Sequence, residues 1–125
     1  MSLARRYLSQ VEVSQTLGRG KVVAQLLGGA TRPPCGQIIR WMTVSKHPDL
    51  GVVVTLIESE DVGSDDFVDI GEFPSIRGDE DPVTQTFASV DLALEYANQQ
   101  LGASSGRFVD ESVIDVEYAE FRRGT

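Results

Sequence analysis

Two runs constrain this chain more than any other feature: QIIRWMTVSK at 37–46 and GVVVTLIE at 51–58. Both are dense in β-branched and aromatic residues, and HPDL followed by Gly51 supplies a compact turn between them. The pair reads as a β-hairpin. A strand turns successive side chains to opposite faces. Val52, Val54 and Leu56 therefore point one way, and Val53 and Ile57 the other. In the partner run, Ile39 and Trp41 oppose Ile38, Met42 and Val44. An antiparallel sheet with one wet face alternates cleanly between apolar and polar residues. These strands instead require cover on both faces. Loops or sheet curvature supply it in some folds; a homodimer through the sheet is the expectation here, because symmetric dimers dominate oligomers.

The rest of the first half reads as further strands. Tyr7, Ser9, Val11 and Val13 alternate with Leu8, Gln10, Glu12 and Ser14, as in a half-buried strand. TLGRG then makes a turn, and Val22, Ala24 and Leu26 share one face of a second strand ending at Gly28-Gly29. The segment GGATRPPCG reads as a loop, since Pro33 and Pro34 cannot donate to a ladder. Phe67–Phe73 is the fifth strand candidate.

Helical spacing begins only after Pro82. Val90, Ala93, Leu94, Ala97 and Leu101 form one stripe, with Ser89 as N-cap and Gly102 as the stop. The segment 112–121 fits both periods. Ile114, Tyr118 and Phe121 suit a helix, while Ile114, Val116 and Tyr118 alternate as in a strand; the helix is favoured, with Arg122 and Arg123 at its negative end. The expected fold is a single α+β domain over residues 1–125. An antiparallel β-meander of about five strands occupies roughly residues 6–73, and one or two C-terminal helices within about 89–121 pack on one face.

Of the 125 residues, 41% are apolar and 24% charged, which are globular values. The N-terminal stretch lacks the apolar run of a signal peptide, and no run approaches the roughly 20 residues of a membrane span. A soluble, cytoplasmic protein is expected. The net charge of −8 is unevenly spread. Residues 1–46 hold seven Lys/Arg against Glu12 alone, and residues 47–125 hold four against eighteen acids.

Most catalytic and metal chemistries lack their residues. One cysteine, Cys35, and one histidine, His47, cannot supply a structural zinc set. His47 sits in a turn beside Pro48, where an imidazole is usually solvated, so no catalytic residue is assigned. GRGK at 18–21 lacks the remaining glycines of a phosphate-binding loop. Arg5, Arg6, Arg19, Lys21, Arg32, Arg40 and Lys46, with Tyr7 and Trp41 as stacking platforms, would suit nucleic acid. The negative total and the lack of a binding motif argue against that. No cofactor is implied.

The acids concentrate in Ser59–Pro82, where nine of them stand with Arg77 as the one basic residue. Their spacing does not match a calcium loop, and no metal site is assigned. The functional reading is docking: Glu58, Glu60, Asp61, Asp65, Asp66, Asp79, Glu80 and Asp81 form acidic rims for a basic protein partner. The expectation is a self-associating protein-interaction module. The alternative is a small-ligand or metal-assisted enzyme with a pocket between sheet and helices, lined by Arg40, Tyr96 and Tyr118.

Overall fold

A computed structural model describes residues 7–34 and 36–124 of the chain. Cys35, Arg5 and Arg6 lie outside the described residues. The centre of the fold is the hairpin expected from the two apolar runs. Strand β2 (Gly36–His47) pairs antiparallel with β3 (Gly51–Glu60), placing Trp41 opposite Ile57 and Val44 opposite Val54. Gly51 closes the turn at φ +91°, and a Cβ there would lie 2.5 Å from the Phe87 carbonyl oxygen. Only glycine satisfies both the left-handed backbone and that close approach.

Strand β1 (Val23–Arg32) flanks β2, and β4 (Val83–Phe87) flanks β3. A two-residue strand, β5 (Val109–Asp110), adds beside β1. The order is β4-β3-β2-β1-β5, all antiparallel, so β1 to β4 form a meander. The glycines expected to end β1 do not end it. A register shift between Leu26 and Gly28 absorbs one residue as a bulge, and the strand continues to Arg32.

Each sheet face carries its own core. On the first, Met42, Val44, Val52 and Val54 pack with Val13, Leu17, Ala93 and Phe108. On the second, Ile39 and Trp41 pack with Ile70, Phe73, Ile114 and Tyr118. Helix α1 (Gln10–Gly18) and helix α2 (Val90–Tyr96), which continues as a π-turn over Ala97–Leu101, serve the first face. Helix α3 (Ile114–Arg122) and the 3₁₀ turn Ile70–Glu72 serve the second. The α+β class, the antiparallel sheet and the two C-terminal helices are those read from the sequence. The helices divide between the faces rather than sharing one. Both apolar faces of the hairpin are thus covered within one chain, which removes the premise of the dimer argument.

Two local expectations are corrected and an ambiguity is resolved. Residues 10–18 are a helix, not a strand. Ser9 Oγ accepts from the Glu12 N–H at 3.2 Å while Glu12 Oε1 accepts from the Ser9 N–H at 2.8 Å. This capping box satisfies two helix-end donors, and Val13, Thr16 and Leu17 then fall on one buried stripe. Phe67–Phe73 is not a strand. The edge of β3 is already taken, by β4 along 52–56 and by Pro74 and Ile76, whose backbones bond to Glu60 and Glu58. The segment crosses the second face instead, inserting Phe67, Val68, Ile70 and Phe73. The strand beside β3 is Val83–Phe87, too polar and exposed to stand out by hydrophobicity. The ambiguous C-terminus is helical: Ile114 and Tyr118 are buried, and Val116 is exposed.

Candidate functional site

The eight carboxylates proposed as a docking surface separate into two groups. Glu58 lies within β3, and its Oε2 accepts from Arg40 Nε at 2.9 Å and Arg32 Nη2 at 3.0 Å. Asp61 accepts the hydroxyl proton of buried Tyr118. Glu80 pairs with Arg77 at 3.1 Å, and the Asp65 carboxylate faces Arg122 at 3.6 Å. Glu58 and Asp61 are thus engaged within the fold, while Asp65 and Glu80 make exposed surface pairs. Glu60, Asp66, Asp79 and Asp81 have no ion pair among the described residues.

Arg40, Tyr96 and Tyr118 do not share a pocket. Arg40 is held by Glu58. Tyr96 tilts against Phe87 beside the first core, with ring centres 5.0 Å apart, while Tyr118 is buried in the second core. The sheet lies between the two tyrosines. The stacking surface for nucleic acid does not form either. Trp41 is buried, Arg32 and Arg40 share the Glu58 carboxylate, and the Tyr7 ring lies under the Arg107 guanidinium at 4.4 Å.

A concavity of about 810 Å³ lies on the second face. Trp41 and Ile114 contribute its apolar lining. Asp69 and Glu72 stand on one wall, either side of the 3₁₀ turn; Asp110, Glu111 and Asp115 stand on the other, with Lys21 at the side. The walls are tied together, because Asp115 Oδ1 accepts from the Ile70 N–H at 3.1 Å. Asp110 Oδ1 accepts from both the N–H and the hydroxyl of Ser112, at 3.0 and 2.8 Å. Those two bonds, ahead of the nearby charges of Lys21 and Arg19, hold its carboxyl below the ordinary carboxylate value. Asp69, Glu72 and Glu111 have no ion pair among the described residues. A second cavity of about 320 Å³ adjoins the cleft through Trp41 and Gly71, which line both.

Trp41 is 6% exposed, and its Nε1 is buried with no hydrogen-bond partner among the described residues. An orphan donor of this kind is rare in a folded chain. Among the described residues no three His, Cys, Asp or Glu converge as metal ligands.

The comparisons decide nothing further. No protein-family model, curated protein or solved structure matches this chain. No described helix is long and apolar enough to cross a membrane.

Sequence reasoning passed over the cleft residues. Asp69 and Glu72 lie inside the acidic stretch but were assigned to a strand. Asp110, Glu111 and Asp115 stand forty residues further on, in a different acidic run. The Asp110-x-Ser112 spacing did carry a signal, that of an acid capping a short turn.

Proposed function

We propose that the chain is a non-enzymatic binding module for a basic protein partner, and that it meets this partner on the second sheet face. The observation that carries the reading is the division of labour within 61–82. The segment turns Phe67, Ile70 and Phe73 into the core and leaves Asp66, Asp69, Glu72, Asp79 and Asp81 exposed, with no ion pair among the described residues. Glu111 adds to them from across the cleft. Exposed carboxylates on a chain carrying net −8 attract a cationic surface and speed its approach. His47 is exposed at the end of β2, where its Nε2 lies 3.1 Å from Ser45 Oγ.

The test is capture of proteins from the source lysate on the immobilised chain, at low and high salt, followed by mass spectrometry. Exposed charge pairs are screened beyond about 8–10 Å at moderate salt. The reading expects a stoichiometric basic protein, lost as salt rises and lost in a chain with Asp66, Asp69, Glu72, Asp79, Asp81 and Glu111 made neutral. A partner that is acidic, or that persists at high salt, contradicts it.

A further inference from the structure

We infer that the cleft beside Trp41 seats one basic side chain of the partner, an arginine or a lysine, and that a main-chain carbonyl next to that residue accepts the Trp41 indole proton. The inference deepens the reading of the chain as a module for a basic partner and rests on it. Two independent observations meet at this site. The first is charge placed on two walls. Asp69 and Glu72 on the 3₁₀ turn face the run from Asp110 to Asp115, and Lys21 is the one cation in the lining. Asp110 and Asp115 are already held by hydrogen bonds from the chain, which leaves Asp69, Glu72 and Glu111 as acceptors.

The second observation is the donor without a partner. Trp41 lines the cleft, is 6% exposed, and keeps an indole N–H that nothing in the described chain satisfies. A buried donor in that state calls for an acceptor, and the proposed ligand brings one. Ser59, Phe73 and Gly71 line the smaller cavity on the same ring, so space is present on both sides of the turn. Gly71 is the residue shared with Trp41, and a Cβ built on it would meet nothing within 4 Å. Open space therefore lies beside Gly71, where a larger side chain would enter it. The ligand must offer several donors to reach carboxylates on both walls and an acceptor for the indole. A guanidinium or ammonium on a peptide backbone offers both; a bare metal ion offers neither, and no converging ligand set exists for one among the described residues. The cleft volume of about 810 Å³ lies in the range of small-ligand sites.

Trp41 is the single tryptophan of the chain, so its emission reports the site directly. The probes are blocked tripeptides Gly-Arg-Gly and Gly-Lys-Gly, with Gly-Glu-Gly as control, titrated at low salt. The expected result is a saturable change in emission with the two basic peptides and none with the acidic one. Affinity falls at least tenfold in the Asp69→Asn/Glu72→Gln/Glu111→Gln chain and in Gly71→Leu, and stays within twofold in Asp49→Asn/Asp91→Asn/Glu95→Gln, three exposed acids outside the proposed surface. No saturable change, or an equal response in both triple variants, overturns the inference. Capture of basic proteins by the same two triple variants separates the two levels. If the unaltered chain captures a basic protein and the Asp69→Asn/Glu72→Gln/Glu111→Gln chain captures it equally, the binding-module reading stands and the cleft is not its seat. If the unaltered chain captures no basic protein at any salt, the reading fails and takes the inference with it.

Discussion

Tyr118 donates its hydroxyl proton to Asp61 across the second core, joining helix α3 to the residue that follows β3. Tyr118 is the largest fully buried side chain among the described residues. Its ring meets Phe73 edge-on at 5.1 Å, so one residue anchors both the start and the middle of the acidic segment. Together with the Asp115 bond to the Ile70 N–H, that anchor helps position the wall carrying Asp69 and Glu72.

The Tyr118→Phe variant keeps the ring and removes the bond. Asp61 then loses a partner, and the expected cost is about 1–3 kcal/mol, read as a lower urea midpoint at neutral pH. The pH dependence follows from the phenol. Burial first, and the bond to Asp61 second, hold it above its ordinary value. The stabilisation is fully present below the ordinary phenol range and is lost as pH rises from there toward the folded-state value. Alkaline urea titrations should show a steeper loss in the unaltered chain than in Tyr118→Phe. Parallel curves would sink the assignment.

Glycines 63 and 71 give opposite outcomes. A Cβ at Gly63 would run into the Tyr118 ring and hydroxyl. Gly63→Ala is expected to cost about 1–3 kcal/mol, the range for forcing extra volume into a packed site. At Gly71 a Cβ meets open space, and the backbone is not left-handed. Gly71→Ala should leave stability unchanged or raise it by up to about 1 kcal/mol, because it restricts the unfolded chain. Thermal melts of the two variants decide the matter; equal effects would contradict the packing described.

The α1 capping box is testable by Ser9→Ala. Loss of the cap should cost about 1 kcal/mol. For a domain of this size that lowers Tm by about 3–6 °C. A melt unchanged within error would return Gln10–Gly18 to a weakly held element.

Acid sensitivity should trace partly to Asp110. Its carboxyl is held below the ordinary value by the backbone and hydroxyl of Ser112. A lowered folded-state pKa contributes stability that is present above the ordinary carboxylate value and lost as pH falls through the folded value. Asp110→Asn should flatten the acid limb of a stability–pH curve, and Ser112→Ala should shrink it in part. An acid limb identical in all three chains would mean other carboxylates carry it.

The hairpin, α2 and the helical reading of α3 were legible because each has a period or a dense run that one residue cannot disguise. Helix α1 was misread because Tyr7, Ser9, Val11 and Val13 alternate well, although Ser9-x-x-Glu12 spelled a capping box all along. The acidic segment was misread because Phe67, Val68, Ile70 and Phe73 look like strand residues when taken alone. Glu58 and Asp61 are engaged within the fold, and an ion pair such as Arg40 with Glu58 depends on a cross-strand register that no local pattern encodes.

By itself the sequence determined that β2 and β3 pair and that both of their faces are buried, since side-chain alternation along a strand is a local property of the backbone. What covers the second face was decided only by tertiary structure. A stretch of nine acids and four apolar anchors is as compatible with an exposed strand as with a covering loop until a partner surface exists. Tyr118, Trp41 and Ile39 provide that surface, and their meeting with Phe73 and Ile70 joins segments distant in the chain. The cleft and its orphan indole exist only as a consequence of that meeting.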